Sequence, residues 1–325
     1  MINIKITNRT FRIIIALCVI TGTLLPFAYR WFKAEDELLF ELPGALKFRL
    51  EGFFYGADNG FINPIGIAVS EQGLIYVADS GRNQIAVLNQ KGREIKRIGS
   101  SGEAPGNLSY PVSVLITPGP KQRLIVSELG NNRIQIFDLQ GKPLGLFPFK
   151  DGQPVAPTAM AMDGDGRLYV VDKAKQEILV YSPQGKLLKA IGKNLEEGFR
   201  FPMGLAVTTG RQIIVSDSGN GAVRIFDSQG QQVRRIPAKA ASGLFNNPRG
   251  ITLDQYGNFY VTDALRGIIL VFNQKGDFKG ILDSPQSHTP LLMPDGIAWG
   301  LNGLYVVDKG NGRVVKYSVT GAQER

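Results

Sequence analysis

The sequence predicts an all-β fold: a six-bladed β-propeller of four-stranded blades, its last blade closed by an N-terminal strand, preceded by one transmembrane helix. Three observations predict it. One unit recurs six times at a nearly constant period, the sixth copy is one strand short, and a single apolar run lies near the N-terminus. A repeat of roughly 40 to 50 residues holding four short strands is the signature of one propeller blade.

The units open at Pro64, Pro111, Pro157, Pro202, Pro248 and Pro294, separated by 47, 46, 45, 46 and 46 residues. Each continues into an apolar run that ends in an acid: LIYVAD to Asp79, LIVSE to Glu128, LYVVD to Asp172, IIVSD to Asp217, FYVTD to Asp263 and LYVVD to Asp308. These β-branched and aromatic runs are strand signals. A third run carries Leu88, Phe137, Tyr181, Phe226, Phe272 and Tyr317 at equivalent places, and turn glycines follow at Gly92, Gly141, Gly185, Gly230, Gly276 and Gly321. The first five units then run into a fourth, more polar strand.

Only Ala322 to Arg325 follow Gly321, too few for that strand. Leu46 to Glu51 alternates apolar and charged residues with period two and belongs to no unit, so it is assigned as the closing strand. Joining the first blade to the last removes the exposed edges of an open array.

The run from Ile13 to Tyr29, bracketed by Arg12 and Arg30, is long enough to span a bilayer core as a helix. The chain is therefore divided into a cytoplasmic N-terminus (1–12), a transmembrane signal anchor (13–32), a stalk (33–45) and the propeller (46–325). Lys5, Arg9 and Arg12 precede the run, whereas Glu35, Asp36 and Glu37 follow it closely, which places the propeller on the extracytoplasmic side, periplasmic or external. A cleaved signal peptide would begin in the same way, but no small-x-small cleavage site follows the run, where Ala28 leads into Tyr29 and Arg30, which favours an uncleaved anchor. Leu17 is too large to precede a lipoprotein cleavage at Cys18, which reads as a membrane-embedded thiol.

Composition excludes several classes. The 325 residues are 43% hydrophobic with 39 glycines and 18 prolines, a folded, turn-rich chain rather than a disordered one. Lys and Arg outnumber Asp and Glu by 37 to 28 without forming a basic run, so charge alone names no partner. One cysteine and one histidine, His288, exclude a disulfide framework or a Cys/His zinc cluster within one copy of the chain.

The units resemble NHL repeats, whose pattern is a Pro-x-Gly strand, a hydrophobic strand ending in Asp, then Ser-Gly-Asn-x-Arg and an aliphatic-aromatic strand. The likeness covers residues 61 to 321. Its fullest copies are Glu128-Leu-Gly-Asn131-Asn132-Arg133 and Asp308-Lys-Gly-Asn311-Gly-Arg313, while Gln84, Glu177, Ala222 and Ile268 replace the arginine elsewhere. YWTD-type propellers share the six blades and the aromatic-x-x-Asp ending but lack the regular proline. The resemblance implies an interaction module, such as the external sensor domains of membrane proteins. It also implies two alternatives: a metal-dependent lyase or lactonase-like hydrolase with an axial site, and a nucleic-acid-binding propeller if the body is cytoplasmic.

A feature present in every blade serves the blade, so Asp79, Glu128, Asp172, Asp217, Asp263 and Asp308 are read as structural acids of the turn from second to third strand. Asp163-Gly-Asp165-Gly166 lacks the remaining ligands of a calcium loop and reads as a β-turn. Function is sought where blades differ. The residue after each proline should reach the channel mouth on the face called top: Ile65, Val112, Thr158, Met203, Arg249 and Asp295. Arg249 and Asp295 lie in adjacent blades and read as a partly buried ion pair or a polar recognition spot. Arg82, Lys173, Lys175, Arg266, Lys309 and Arg313 in the top turns would make that face basic and favour an anionic envelope ligand or an acidic protein patch. Lys96, Arg97, Lys189, Arg234, Arg235 and Lys279 on the outer strands read as charge that discourages edge pairing.

The reading is a protein- or envelope-ligand-binding scaffold with no expected catalytic residue, metal or cofactor. A lyase site asks for several histidines where only His288 is present, and a lactonase-like site asks for acid and amide ligands converging on the axis from several blades, where only Asp295 stands near the place. Export and the lack of evident stacking aromatics in the top turns argue against nucleic acid.

Overall fold

The apolar runs become strands because β-branched and aromatic residues fill a pleated surface that is buried on both faces. The second strands Ile75–Asp79, Leu168–Asp172, Ile213–Asp217 and Phe259–Asp263 are buried at every position. A computed structural model describes residues 39–41, 47–57, 60–151, 154, 156–193, 195–237, 244–282, 290–301 and 303–320, and residues 40–325 form one compact unit. The expected anchor at 13–32, Cys18 and His288 lie outside the described residues. Among the described residues no helix is long and apolar enough to cross a membrane.

Five four-stranded antiparallel sheets begin at Pro64, Pro111, Pro157, Pro202 and Pro248, with strands in chain order from inner to outer. The sixth contains Pro294–Gly300, Gly303–Asp308 and Arg313–Thr320, and its fourth strand is Lys47–Phe54. The closing strand expected at Leu46 to Glu51 is thus present and runs three residues further. It pairs Phe48 with Val319, Leu50 with Tyr317 and Phe54 with Val314, shifting register between Leu50 and Gly52. The sheet order adds one short strand, Leu39–Glu41, outside it, within the segment read as a stalk.

Six apolar clusters fill the six spaces between blades, including the one between last and first, where Ala298, Tyr305 and Val307 meet Ile67, Ile75 and Val77. The closing strand feeds two of these clusters: Phe48 is fully buried edge-on to Tyr260, ring centroids 5.8 Å apart, and Phe54 packs against the last-to-first cluster. Inner strands approach so closely that a Cβ at Gly66 or Gly250 would lie 2.5 Å from the carbonyl oxygen of Val112 or Asp295 in the next blade. This explains the glycine of the Pro-x-Gly opening in four blades. Blades 2 and 3 use Ser113 and Ala159, the next smallest choices.

The outer-strand cations do more than discourage pairing. Lys96 donates to the Leu139 carbonyl at 3.0 Å, Lys189 to Ser228 at 3.0 Å, and Arg234 to Lys275 at 2.5 Å, each in the following blade. They strap neighbouring blades together at the lower rim.

Each fully buried side chain of the Phe or Leu class contributes about 1.5–3 kcal/mol, so the closing strand is worth several kcal/mol. Chain 33–325 should melt with the full chain, whereas 55–325 should melt at least about 10 °C lower; calorimetry of both truncations checks this, and equal melting temperatures would remove the closure assignment.

Candidate functional site

Each opening proline pairs with the acid of its own blade: Pro64 with Asp79, Pro111 with Glu128, Pro157 with Asp172, Pro202 with Asp217, Pro248 with Asp263 and Pro294 with Asp308. The register shifts immediately afterwards in every blade, and such a bulge re-aims the side chains around it. The residue after the proline is thereby turned toward the axis. All six predicted residues, Ile65, Val112, Thr158, Met203, Arg249 and Asp295, line one axial cavity of about 260 Å³.

The six acids are fully buried, and their partners show what they hold. In four blades the residue two before the proline is clamped in both directions. Ile62 donates its N–H to Asp79 at 2.7 Å and accepts from Gly81 at 2.8 Å; Ser109 does so with Glu128 (2.9 Å) and Gly130 (3.0 Å). Arg200 is held by Asp217 and Gly219, both at 2.7 Å, and Leu292 by Asp308 (2.7 Å) and Gly310 (2.8 Å). In the third and fifth blades the clamped residue is one later: Ala156 with Asp172 (3.3 Å) and Lys173 (2.9 Å), Asn247 with Asp263 and Ala264, both at 3.0 Å. The acids therefore bind the loop leading into the blade, as well as the turn that follows them. In the third and fifth blades they also accept turn N–H groups, from Ala174 (3.1 Å) and Arg266 (3.2 Å) respectively.

The glycine of the Ser-Gly-Asn signature follows from the clamp. A Cβ at Gly219 would lie 2.6 Å from the Arg200 carbonyl oxygen, and one at Gly310 would lie 2.8 Å from that of Leu292. Where the clamp falls one residue later, Ala174 and Leu265 occupy that place.

Buried carboxylates need compensating charge, and for five of the acids the cation comes from one of several positions. Arg133 pairs with Glu128 at 2.8 Å and Arg313 with Asp308 at 2.7 Å, as the repeat pattern implies. Asp79 instead takes Arg82 (2.9 Å) and Arg97 (3.1 Å), Asp172 takes Lys175 (3.7 Å), and Asp217 takes Arg224 (2.7 Å). Arg224 is buried and lies two residues after Ala222, on the same face of the strand, so the period of two was the available signal. Arg97 reaches in from the outer strand, opposite Ala86.

The basic top face is correspondingly smaller than expected. Arg313 is buried over the Phe53 ring, its guanidinium carbon 4.1 Å from the centroid. Arg82 also donates to the Gly60 carbonyl at 2.8 Å, and Arg266 to Leu244 at 2.6 Å. These three arginines hold loops in place. Lys173 and Lys309 line the cavity with Arg249.

Asp295 is 8% exposed. Its ion pair is with Lys309 at 3.5 Å rather than with Arg249, whose Nε donates to Asn247 at 2.6 Å. Lys309 directly follows a turn acid of the same blade and so approaches Asp295 from above. Burial holds the Asp295 carboxyl above its ordinary value, against the opposing pull of Arg249 and Lys309. Thr158 is buried and donates to the Val171 carbonyl at 3.4 Å; Met203 is half-buried. Asp163 accepts the N–H groups of Asp165 and Arg167, both at 3.0 Å, as a β-turn acid does. Among the described residues no three His, Cys, Asp or Glu side chains gather as metal ligands.

One feature went unread in the sequence. Tyr110 and Phe201, each directly before a blade-opening proline, are 39% and 51% exposed on the top face. Aromatics are therefore present beside the mouth, where none was evident in the turns.

Residues 61–88 and 199–226 match the NHL repeat. Protein brain tumor of Drosophila melanogaster is 28% identical over 149 residues, covering 45% of this chain and 14% of that protein. E3 ubiquitin-protein ligase TRIM32 of Mus musculus is 25% identical over 185 residues, 53% of this chain and 27% of that protein. E3 ubiquitin-protein ligase NHLRC1 of Homo sapiens is 26% identical over 275 residues, 78% of this chain and 66% of that protein. The match spans less than two thirds of the length of each of these relatives. Among solved structures, a streptogramin B lyase aligns with TM-score 0.61 at 14% identity, covering 85% of this chain and 98% of that one. A gluconolactonase from Xanthomonas campestris aligns with TM-score 0.64 at 13% identity, covering 88% and 99%. At these identities the likeness is one of fold.

Gly219→Ala should cost about 1–3 kcal/mol through overlap with the Arg200 carbonyl, whereas Gly164→Ala, with nothing within 4 Å of the new methyl, should stay within about 0.5 kcal/mol; urea unfolding of both compares them. Asp295 binds its proton more tightly folded than unfolded, so it lowers stability as pH rises between the two pKa values, and the full deficit persists above the folded one. Asp295→Asn should therefore raise the melting temperature at pH 7, with an advantage that shrinks as pH falls through that window.

Proposed function

We propose that this NHL-repeat propeller is a membrane-anchored, extracytoplasmic binding scaffold that holds a protein or anionic envelope ligand at its axial mouth. In this reading residues 13–32 anchor the chain, 1–12 lie in the cytoplasm, 33–45 form the stalk and 46–325 carry the recognition surface. The observation that carries it is the convergence of six non-equivalent residues, one per blade, on a single cavity. The framework repeats while the cavity does not: four of those residues are uncharged, and Arg249 and Asp295 are not. Recognition is assigned to Arg249, Asp295, Thr158, Met203 and Lys309. Arg82, Arg266 and Arg313 act by shaping the loops around them.

Two of the similar proteins are named as E3 ubiquitin-protein ligases. What this chain shares with them is the repeat region, and a protein-binding role is the part of that likeness carried over here. The lyase and the gluconolactonase keep an enzymatic reading as the alternative. It would route the chemistry through the same cavity, where Asp295 is the single carboxylate among the lining residues.

Cross-linked affinity purification of the tagged full-length protein from its native source tests the reading, in parallel with an Arg249→Glu, Asp295→Arg variant that retains the wild-type circular dichroism spectrum. A stoichiometric partner captured by wild type and reduced at least tenfold in the variant is expected. A partner retained by the variant would move the site elsewhere. No partner, together with a stoichiometric divalent ion in the purified protein, would favour the enzyme.

A further inference from the structure

The clamp places a demand on the chain. Where it holds the residue two before the proline, the next residue must turn through the left-handed region to reach the inner strand. The first blade puts Asn63 there (φ 51°), a residue type that tolerates it. The second, fourth and sixth blades put Tyr110 (φ 48°), Phe201 (φ 52°) and Met293 (φ 50°) there. Large apolar residues are disfavoured in this conformation. They are not compensated by burial either, since Phe201 and Met293 are 51% and 45% exposed. Leu292, the clamped neighbour of Met293, and Ile62, the clamped residue of the first blade, are exposed as well. Backbone strain retained beneath exposed apolar side chains indicates a use outside the fold.

We propose that Tyr110, Phe201 and Met293, set on alternate blades around the mouth, dock an apolar segment of a partner protein whose Asp or Glu side chain enters the axial cavity between Lys173, Arg249 and Lys309. This rests on the scaffold reading above and names the partner's chemistry. Three cations face the cavity against one carboxylate, Asp295, so an incoming carboxylate is attracted. Among the described residues, no carboxylate lies within ion-pairing distance of Lys173 or Arg249. A cavity of about 260 Å³ accepts one projecting side chain, which the flat surface of a bilayer does not offer. Single-stranded nucleic acid would stack on Tyr110 and Phe201 but finds no base platform in Met293, and its phosphates would meet Asp295.

The test is panning of purified full-length protein against a displayed random-peptide library with constant flanks, so that no free terminus is offered. The enriched peptides are then synthesised with capped ends, and their affinities are measured for wild type, Phe201→Asn/Met293→Asn and Arg249→Glu. Expected are a consensus of one Asp or Glu between apolar residues and at least tenfold weaker binding to the double Asn variant. That variant should melt at the wild-type temperature or higher, because Asn suits the left-handed position. Arg249→Glu should instead prefer the peptide with Lys in place of the acid. No enriched peptide, a consensus without an acid, or binding to the double variant within twofold of wild type would overturn the proposal, and Lys173→Gln, at a half-exposed side chain, keeps the charge arm decisive if the double variant unfolds. Tighter binding of oligo-uridine RNA or of phosphatidylglycerol vesicles than of any peptide would overturn it in favour of those surfaces. Peptides that bind wild type and the double variant equally would remove this site while leaving the scaffold reading in place; failure to capture any native partner would count against the scaffold itself.

Discussion

Six buried carboxylates hold the upper rim of this ring, and the placement of everything at the mouth depends on them. Each takes the N–H of the loop leading into its own blade while the adjacent turn returns a bond to that same loop residue. A buried carboxylate without partners would be costly; here backbone donors supply them in every blade, joined by a cation at Asp79, Glu128, Asp172, Asp217 and Asp308. The proline that follows then opens the inner strand opposite the acid, the register shifts, and the next side chain points to the axis. The repeated acid sets where the variable residue sits, which is why chemistry belongs to the variable residue and geometry to the acid.

The clamp comes in two registers, and this small difference diversifies the mouth. Held two residues before the proline, the loop needs a left-handed residue and a glycine in the turn; held one residue before, it needs neither, and Ala174 and Leu265 replace the glycine. Four blades of one kind and two of the other give six related but unequal positions around the axis. The ring can stay rigid while its rim varies, because the six inter-blade clusters and the N-terminal closing strand supply stability far from the mouth.

Much of this was legible in the residues. The proline period and the missing sixth strand pointed to the ring and its closure, and the residue after each proline proved to face the cavity. Charge partners were harder. Arg224 and Arg97 reach Asp217 and Asp79 from positions that the repeat pattern leaves unmarked, since a buried acid accepts a cation from any strand whose side chain shares its face. The Asp295 partner was missed for a similar reason: Arg249 is adjacent in the ring, but Lys309, next to a clamped turn, reaches the carboxylate first. The exposed aromatics were hidden because a residue before proline ordinarily signals only extended backbone. A glycine two residues after the acid, present in four blades, marks those where that rule fails, and it could have exposed Tyr110, Phe201 and Met293.

The claim that the strained rim is the working surface is tested most directly by carbene footprinting of the full-length protein, first within its native extract and then after purification. Tyr110, Phe201 and Met293 should be shielded in the extract and labelled once purified, with the outer strands labelled equally in both. Equal labelling of the rim in both states, or shielding confined to the outer strands, would contradict it.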